Sequence, residues 1–509
     1  MMTIRLRLLF FGFLTLISLY FGYFYFEPVE AVTIFSEAGY WTIALSWALF
    51  VYCLYRAFWG ERAKIVRYFR TRAGIAGLIV TAVGVLFVYR SEPLGFKTIM
   101  DEHIVAATAR SLHLDRTATV PSRSVTVLNV QQESHKFVDK RPLLQAFLVA
   151  TVHDLTGYRS YNSIYLNVFL TPFSLLLIYV IGQRMGGISV GVMASLLLAT
   201  LPLFSYMSAG GGMETVNVLF ILTAWFLGGL YLERPTQMRL GAFALSGVLL
   251  AQARYESVLF ILPVSCIIIW SWLRDKKLSL PWPLLISPLL LIPYLWQYQV
   301  FRANANMWQL NDVEGAKAIF GTQFIPDNFG RAIGFFFDVA KDVPNSWLLS
   351  AVGIFCVLLL AVSTLLRWRE FRSQSSWLQV FIIMLGGFVV LLLLLLSYAW
   401  KFDMPVIVRL TLPLHLPMAI AAAYVLFHVI KHRYAHRVFA LGFLVYVMVY
   451  ALPVTSEREY SLNSVATKDF LAAETFLKEQ QGKHMRFIAD NSCFFLLFNQ
   501  DAISTAIAN

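Results

Sequence analysis

The stretch Ser91 to Gly157, SEPLGFKTIMDEHIVAATARSLHLDRTATVPSRSVTVLNVQQESHKFVDKRPLLQAFLVATVHDLTG, is the one long polar interruption in the front half of a chain that is otherwise almost continuously apolar. Two charged clusters stand out in it. Asp101-Glu102-His103 opens a helix-like run directly after an apolar segment, and Asp139-Lys140-Arg141-Pro142 opens the next. If the two helices fold back on the same face, a base and an anion clamp come within reach of each other just outside a membrane.

The surroundings of this stretch are membrane-like. Of 509 residues, 58% are hydrophobic and 15% aromatic, whereas the apolar share of a soluble enzyme sits near half or below. Apolar runs approaching the roughly 20 residues needed to cross the hydrocarbon core number thirteen. They begin near Leu8, Tyr40, Ala73, Tyr161, Ile188, Glu214, Leu240, Ser257, Pro281, Ser346, Trp377, Met404 and Val438, and the run from Leu240 to Ala253 is short. The net charge of +12 points to no nucleic acid, because the Lys and Arg residues are dealt out between these runs and read as topology. Cys53, Cys266, Cys356 and Cys493 are too scattered for a disulfide framework or a metal cluster.

Every second loop is basic: Arg5 and Arg7, then Arg62 to Arg72, Arg184, Arg234 with Arg239, Arg274 to Lys277, Arg367 to Arg372, and Lys431 to Arg437. The first opposite loop carries Glu27, Glu30 and Glu37 with no Lys or Arg. This alternation predicts a cytoplasmic N-terminus and places Ser91 to Gly157 outside. Val29-Glu30-Ala31 loosely imitates a signal cleavage site, but the apolar region before it is longer than a signal sequence uses.

Three polar pieces are expected outside the membrane. In the first, Thr98 and Asp101 have capping-box spacing, and the helix carries Ile104, Val105, Thr108 and Leu112 on one side. The second, Arg302 to Asn345, is too mixed to assign. The third, from Thr455, reads as a helix over Thr467 to Gln480, a strand over Met485 to Ala489 and a further helix, with too little core for a separate catalytic domain. The chain therefore divides into residues 1–72, two N-terminal spans and a basic loop; residues 73–454, a membrane domain with external loop 91–157; and residues 455–509, a small α/β segment.

Each candidate residue has a plain reading beside a chemical one. Asp101 and Glu102 suit the positive end of a helix dipole, and a partly desolvated acid at the boundary also suits a general base. Lys140 and Arg141 could anchor a helix at the headgroups; outside the membrane, where basic residues are disfavoured, a lipid-linked phosphate gives them a reason. Glu214 follows three glycines, Gly210 to Gly212, on the outer side. Arg254 and Glu256 fill a tiny outer turn, where they could neutralise each other or face a cavity. Arg409 lies inside an apolar run, where a central charge costs roughly 2.5 to 3.5 kcal/mol, so it either snorkels to the interface or holds an anion in a wet cavity. His415 reads as a satisfied polar residue between helices.

Three motifs, MDEHIVAATARSL, FVDKRPLLQAFLVATVHDLTG and VIVRLTLPLHLP, taken in this order and on one side, resemble the GT-C membrane glycosyltransferases, in the branch of the protein mannosyltransferases, the aminoarabinose transferases and RgtA-like enzymes. The resemblance covers about Ala73 to Val454. It implies an all-α polytopic enzyme of a bacterial inner membrane, with about thirteen transmembrane helices and a periplasmic active site. Such an enzyme moves a sugar from a polyprenyl-phosphate donor to a glycan, lipid or protein acceptor. By the same resemblance Asp101 is the catalytic base of an inverting attack, with Glu102 and Asp139 shaping the site. Lys140, Arg141 and Arg409 hold the departing phosphate, and Glu214 matches an acid of the second external loop. Two extra spans precede the family's first one, and Arg141 stands where the family often has proline. Glu214 replaces an aspartate: three scattered carboxylates could hold a divalent cation, nothing requires one, and no metal ligand is assigned. The alternative function is a transporter or flippase for an anionic lipid or solute. It calls for charges near mid-span, whereas those found here crowd the outer boundary.

Overall fold

Lipid leaves backbone groups no water to bond, so apolar runs of this length close their hydrogen bonds internally as helices. In the computed structural model, which describes residues 3–98, 100–128, 130–303, 318–340, 343–430, 432–457, 465–480, 483 and 485–508, the chain opens with α1 (Ile4–Leu19), α2 (Pro28–Phe58), α3 (Arg62–Phe69) and α4 (Arg72–Ser91). The polar stretch forms α5 (Asp101–Leu114), strands β1 (Val120–Val127) and β2 (Val130–Phe137), and α6 (Leu143–Thr156). The middle of the chain is α7 (Asn162–Gly186), α8 (Ile188–Ala199), α9 (Pro202–Ser208), α10 (Glu214–Glu233), α11 (Gln237–Ala251), α12 (Ile261–Asp275), α13 (Trp282–Leu290) and α14 (Ile292–Ala303). Then come α15 (Ile325–Phe337), α16 (Trp347–Leu366), α17 (Ser376–Leu396), α18 (Pro405–Val408), α19 (His415–Tyr424), α20 (Arg433–Tyr446) and α21 (Leu452–Glu457). The tail holds α22 (Val465–Glu479), β3 (Arg486–Ala489), α23 (Ser492–Leu497) and β4 (Asp501–Ser504).

Among the described residues ten helices are long and apolar enough to cross a membrane, or eleven if α8 and α9, bent by 69° at their junction, count as one. The sequence suggested thirteen. The run from Leu240 folds as the 15-residue α11. The run from Pro281 breaks at Leu291 into α13 and α14, because Pro288 and Pro293 flank that point and a proline lacks the N–H and crowds the preceding turn. Both segments nevertheless pass between the two ends of the molecule. At one end Arg239 reaches Glu61 (2.9 Å) and Arg7 donates to the Leu280 carbonyl (3.0 Å). At the other, Arg254 pairs with Glu214 and Gln297 donates to the Arg141 carbonyl (2.7 Å).

The expected capping box at Thr98 does not form. The residue before α5 is Met100, with φ 62° and no side-chain cap, and a non-glycine residue in this region costs on the order of 1 to 3 kcal/mol. The strained turn swings Asp101 and Glu102 round together at the head of α5.

Four strands make one sheet in the order β2-β1-β4-β3. β1 and β2 form an antiparallel hairpin from Val120↔Phe137 to Val127↔Val130. β4 joins β1 antiparallel at Arg123↔Ile503, and β3 runs parallel to β4. The hairpin has no counterpart in the sequence reading, and it makes the sheet a joint product of the external loop and the tail. A small second core of Phe96, Ala106, Ala107, Val120, Phe470 and Phe494 lies beneath it, so α5 is buried both against the helical bundle and against the tail. Arg110 of α5 fixes this arrangement: it donates to the Leu496 carbonyl (2.8 Å), Asn499 (2.9 Å) and Gln131 (2.8 Å), pairs with Glu133 (3.2 Å) and lies over the Tyr158 ring.

Candidate active site

At the head of α5 the Asp101 carboxylate receives two arginines from distant parts of the chain. Oδ1 accepts from Arg141, whose Nε lies at 2.9 Å, and Oδ2 accepts from Arg409. Arg141 is fixed by its own neighbourhood: its guanidinium and its backbone N–H both meet Asp139 (2.7 and 2.8 Å), and its carbonyl accepts from Gln297 of α14. Arg409 opens the 3-10 turn Arg409–Leu414 between α18 and α19, donates through Nε to the Val406 carbonyl (3.0 Å), and sends its other arm to Glu214 Oε1 (3.2 Å). Glu214 Oε1 also takes Arg254, which bonds Glu256 in turn. Asp101, Asp139, Arg141, Glu214, Arg254, Glu256 and Arg409 thus form one continuous ionic network drawn from five parts of the sequence.

Exposure separates the acids. The Asp101 side chain is 18% exposed against 8% for Asp139, 6% for Glu256 and 2% for Glu214, so Asp101 is the carboxylate an incoming molecule can meet. Burial alone would raise its pKa. The charges of Arg141 and Arg409, with their hydrogen bonds, overcome that and hold the carboxyl far below its ordinary range.

Glu102 is fully turned inward. Oε2 accepts from the backbone N–H of Lys97 (2.8 Å), and burial, with Glu214 close by, pushes its pKa up to about 7. The three glycines explain how two acids come so close. A Cβ on Gly210 would stand 2.7 Å from Glu102 Oε1, and one on Gly212 would stand 2.3 Å from Glu214 Oε2 and 3.3 Å from Glu102 Oε1. Only bare backbone fits between these carboxylates. Asn167 of α7 pins the loop by donating to the carbonyls of Gly210 (2.9 Å) and Gly212 (2.8 Å), and Gln145 of α6 donates to that of Gly211 (3.3 Å).

Asp101, Glu102, Asp139, Arg141, Glu214, Arg254, Glu256 and Arg409 are all drawn together, and Arg409 does not merely snorkel. Lys140 lies beside them, its pKa lowered first by burial and then by the charge of Arg141. His103 is elsewhere: it packs among Phe96, Phe470 and Phe494, Nδ1 meets Asn491 (3.1 Å), and burial lowers its pKa to about 3. His415 bonds the Thr411 carbonyl through Nδ1 (3.2 Å). The sequence reading missed Asn167, Gln145 and Lys97, although a lone Asn or Gln inside an apolar helix is itself a signal that something polar faces it. It also missed Tyr255, which feels the charges of Arg141, Asp139 and Asp101.

The carboxylates do not gather for a cation. Among the described residues no three His, Cys, Asp or Glu side chains are grouped to hold a metal, and four of the five acids are taken up by arginine.

This helical membrane architecture is matched by solved structures. ArnT from Cupriavidus metallidurans bound to undecaprenyl phosphate aligns with a TM-score of 0.50 and 10% identity, over 86% of this chain and 87% of that one. The oligosaccharyltransferase of Archaeoglobus fulgidus, in complex with Zn and sulfate, aligns with a TM-score of 0.51 and 11% identity, over 84% of this chain but only 62% of that longer one. The fold is that of the GT-C membrane glycosyltransferases. Residues 140–296 match the family model described as dolichyl-phosphate-mannose-protein mannosyltransferase; the match includes Arg141, Glu214, Arg254 and Glu256 and leaves out Asp101 and Arg409. No curated protein matches the sequence.

Proposed function

We propose that this chain is an inverting glycosyltransferase that takes a sugar from a polyprenyl-phosphate carrier and passes it to a glycan, lipid or protein hydroxyl on the outer face of a bacterial inner membrane. The observation that carries the proposal is the convergence of Arg141 and Arg409 on the two oxygens of Asp101, the most exposed acid of the network, in a fold shared with a structure bound to undecaprenyl phosphate.

In this reading Asp101 removes the acceptor's proton as its oxygen attacks the anomeric carbon. The bond from that carbon to the carrier phosphate breaks, its electron pair stays on the phosphate, and the configuration inverts. Fixed cations aimed at that growing charge lower the barrier, and Arg141, Arg409 and Lys140 supply them. Asp139, Glu214 and Glu256 hold the arginines in place. While both its oxygens sit in arginine forks Asp101 is a weak base, so a donor phosphate that drew the guanidiniums toward itself would raise its basicity when the sugar arrives. Every step uses the chain's own side chains.

The test is transfer from carrier-linked sugar in membranes containing Asp101→Asn at wild-type expression. The rate falls by about 10² to 10⁴, the span general bases supply. Undiminished turnover would remove the proposed base.

A further inference from the structure

The end of the molecule opposite the ionic network carries a second concentration of charge. Glu61 is engaged there by Arg239 (2.9 Å) and Arg234 (3.4 Å). Next to it Arg62, Lys64, Arg67, Arg70 and Arg72 crowd α3 and the turn into α4, and all five are exposed and form no ion pair among the described residues. Arg62, Val66 and Arg70 follow at one-turn spacing with Ala63 and Arg67 a step round, so the five share a face about 140° wide. All five are exposed and border an open surface depression on this one helix.

The position of this face is set by length. Joined by a 3-10 turn at Trp59–Glu61, α2 and α3 together run 42 residues from Pro28 to Phe69, about 63 Å at the α-helical rise, roughly twice what the hydrocarbon needs. Their last turns therefore lie beyond the apolar layer, and Tyr55 and Trp59, both exposed, fall where aromatic residues mark the interface. Arg62 lies over the Trp59 ring at 4.1 Å. The rear of α3 is held close: the Tyr68 hydroxyl reaches Gln183 (3.5 Å), and a Cβ on Gly74 of α4 would meet the Tyr68 carbonyl at 2.2 Å. Cations anywhere in this loop would serve membrane orientation. Three exposed arginines flanking exposed Ala63 and Val66 on one helix face are a more particular arrangement, with cation for a phosphate and an apolar strip for the start of a chain.

We propose that this face binds the headgroup of an anionic phospholipid from the adjoining leaflet, its phosphate diester between Arg62, Arg67 and Arg70 and its glycerol end over Val66 and Trp59. A cation near an anionic surface strengthens attachment about fivefold, so the three together give a marked preference over zwitterionic lipid.

The experiment reconstitutes the full chain in phosphatidylcholine with about 20 mol% phosphatidylglycerol and counts co-purifying lipids by native mass spectrometry. Wild-type protein enriches phosphatidylglycerol about tenfold, high salt collapses the enrichment, and inorganic phosphate at millimolar concentration leaves it standing. Triple substitution Arg62→Gln, Arg67→Gln and Arg70→Gln abolishes it, while Lys64 and Arg72 keep the loop basic and thiol-accessibility labelling verifies unchanged orientation. Equal enrichment in the triple variant overturns the proposal, and so does displacement by inorganic phosphate, which marks a small-anion site instead. Absence of enrichment in wild-type protein overturns it before any variant is made. Sugar transfer is no part of the readout, so the outcome is independent of the outer site.

Discussion

Glu102 is the residue whose environment says most about the outer site. An acid whose folded pKa is raised binds more protons in the folded state than in the unfolded one between its ordinary value near 4.5 and about 7. Its contribution to stability is therefore present below that window and lost as pH rises through it. Glu102→Gln keeps an acceptor for Lys97 N–H and removes the group that titrates. Thermal unfolding of the variant should lie close to wild type at pH 5, rise above it between pH 5 and about 7 and keep a constant lead beyond; curves that stay parallel from pH 5 to 9 would show that Glu102 does not titrate there. Arg409 has the opposite character. In the proposed reaction Arg409 turns to the donor phosphate, so Arg409→Ala should raise the donor concentration for half-maximal rate by roughly 10- to 100-fold, and donor-titrated transfer rates check this.

Elements decide what the sequence could reveal. Charged residues at the ends of apolar runs were legible because lipid leaves them few choices: Asp101, Arg141, Glu214, Arg254 and Arg409 each had to find a partner or water. The Gly210 to Gly212 loop was not, since a tight turn and a cradle for two carboxylates read alike until the side chains are placed. Gly212→Ala would put a methyl 2.3 Å from Glu214 Oε2, and overpacking of this kind costs about 1 to 3 kcal/mol. The expected result is a lowered unfolding temperature together with loss of transfer, whereas Gly95→Ala, where an added Cβ meets nothing within 4 Å, serves as the tolerated control. The hairpin of β1 and β2 was missed for another reason. Its outer strand β2 is polar and half-solvated along its length, so it lacks the alternation that marks a strand against a core. The inner strand β1 takes its second neighbour, β4, from far away in sequence.

At the scale of the whole molecule, α5 is clamped between the membrane bundle and the tail. Arg110 joins them, and its partner Glu133 is as buried as it is, each 8% exposed. Removing one member of a buried pair costs about 3 to 5 kcal/mol, so Arg110→Ala should detach the tail from α5, seen as proteolysis within residues 465–508 while the membrane domain stays intact. Resistance equal to wild type would mean that the second core holds the tail alone.

The pairing of β1 with β4 has a consequence for how the protein is born. Thr126 bonds to Asp501, 375 positions further on. The ribosome therefore inserts the helical bundle long before the hairpin can acquire its neighbour. During that interval α5 lacks one of its two walls, and the head that carries Asp101 is braced from one side alone until the last strand arrives.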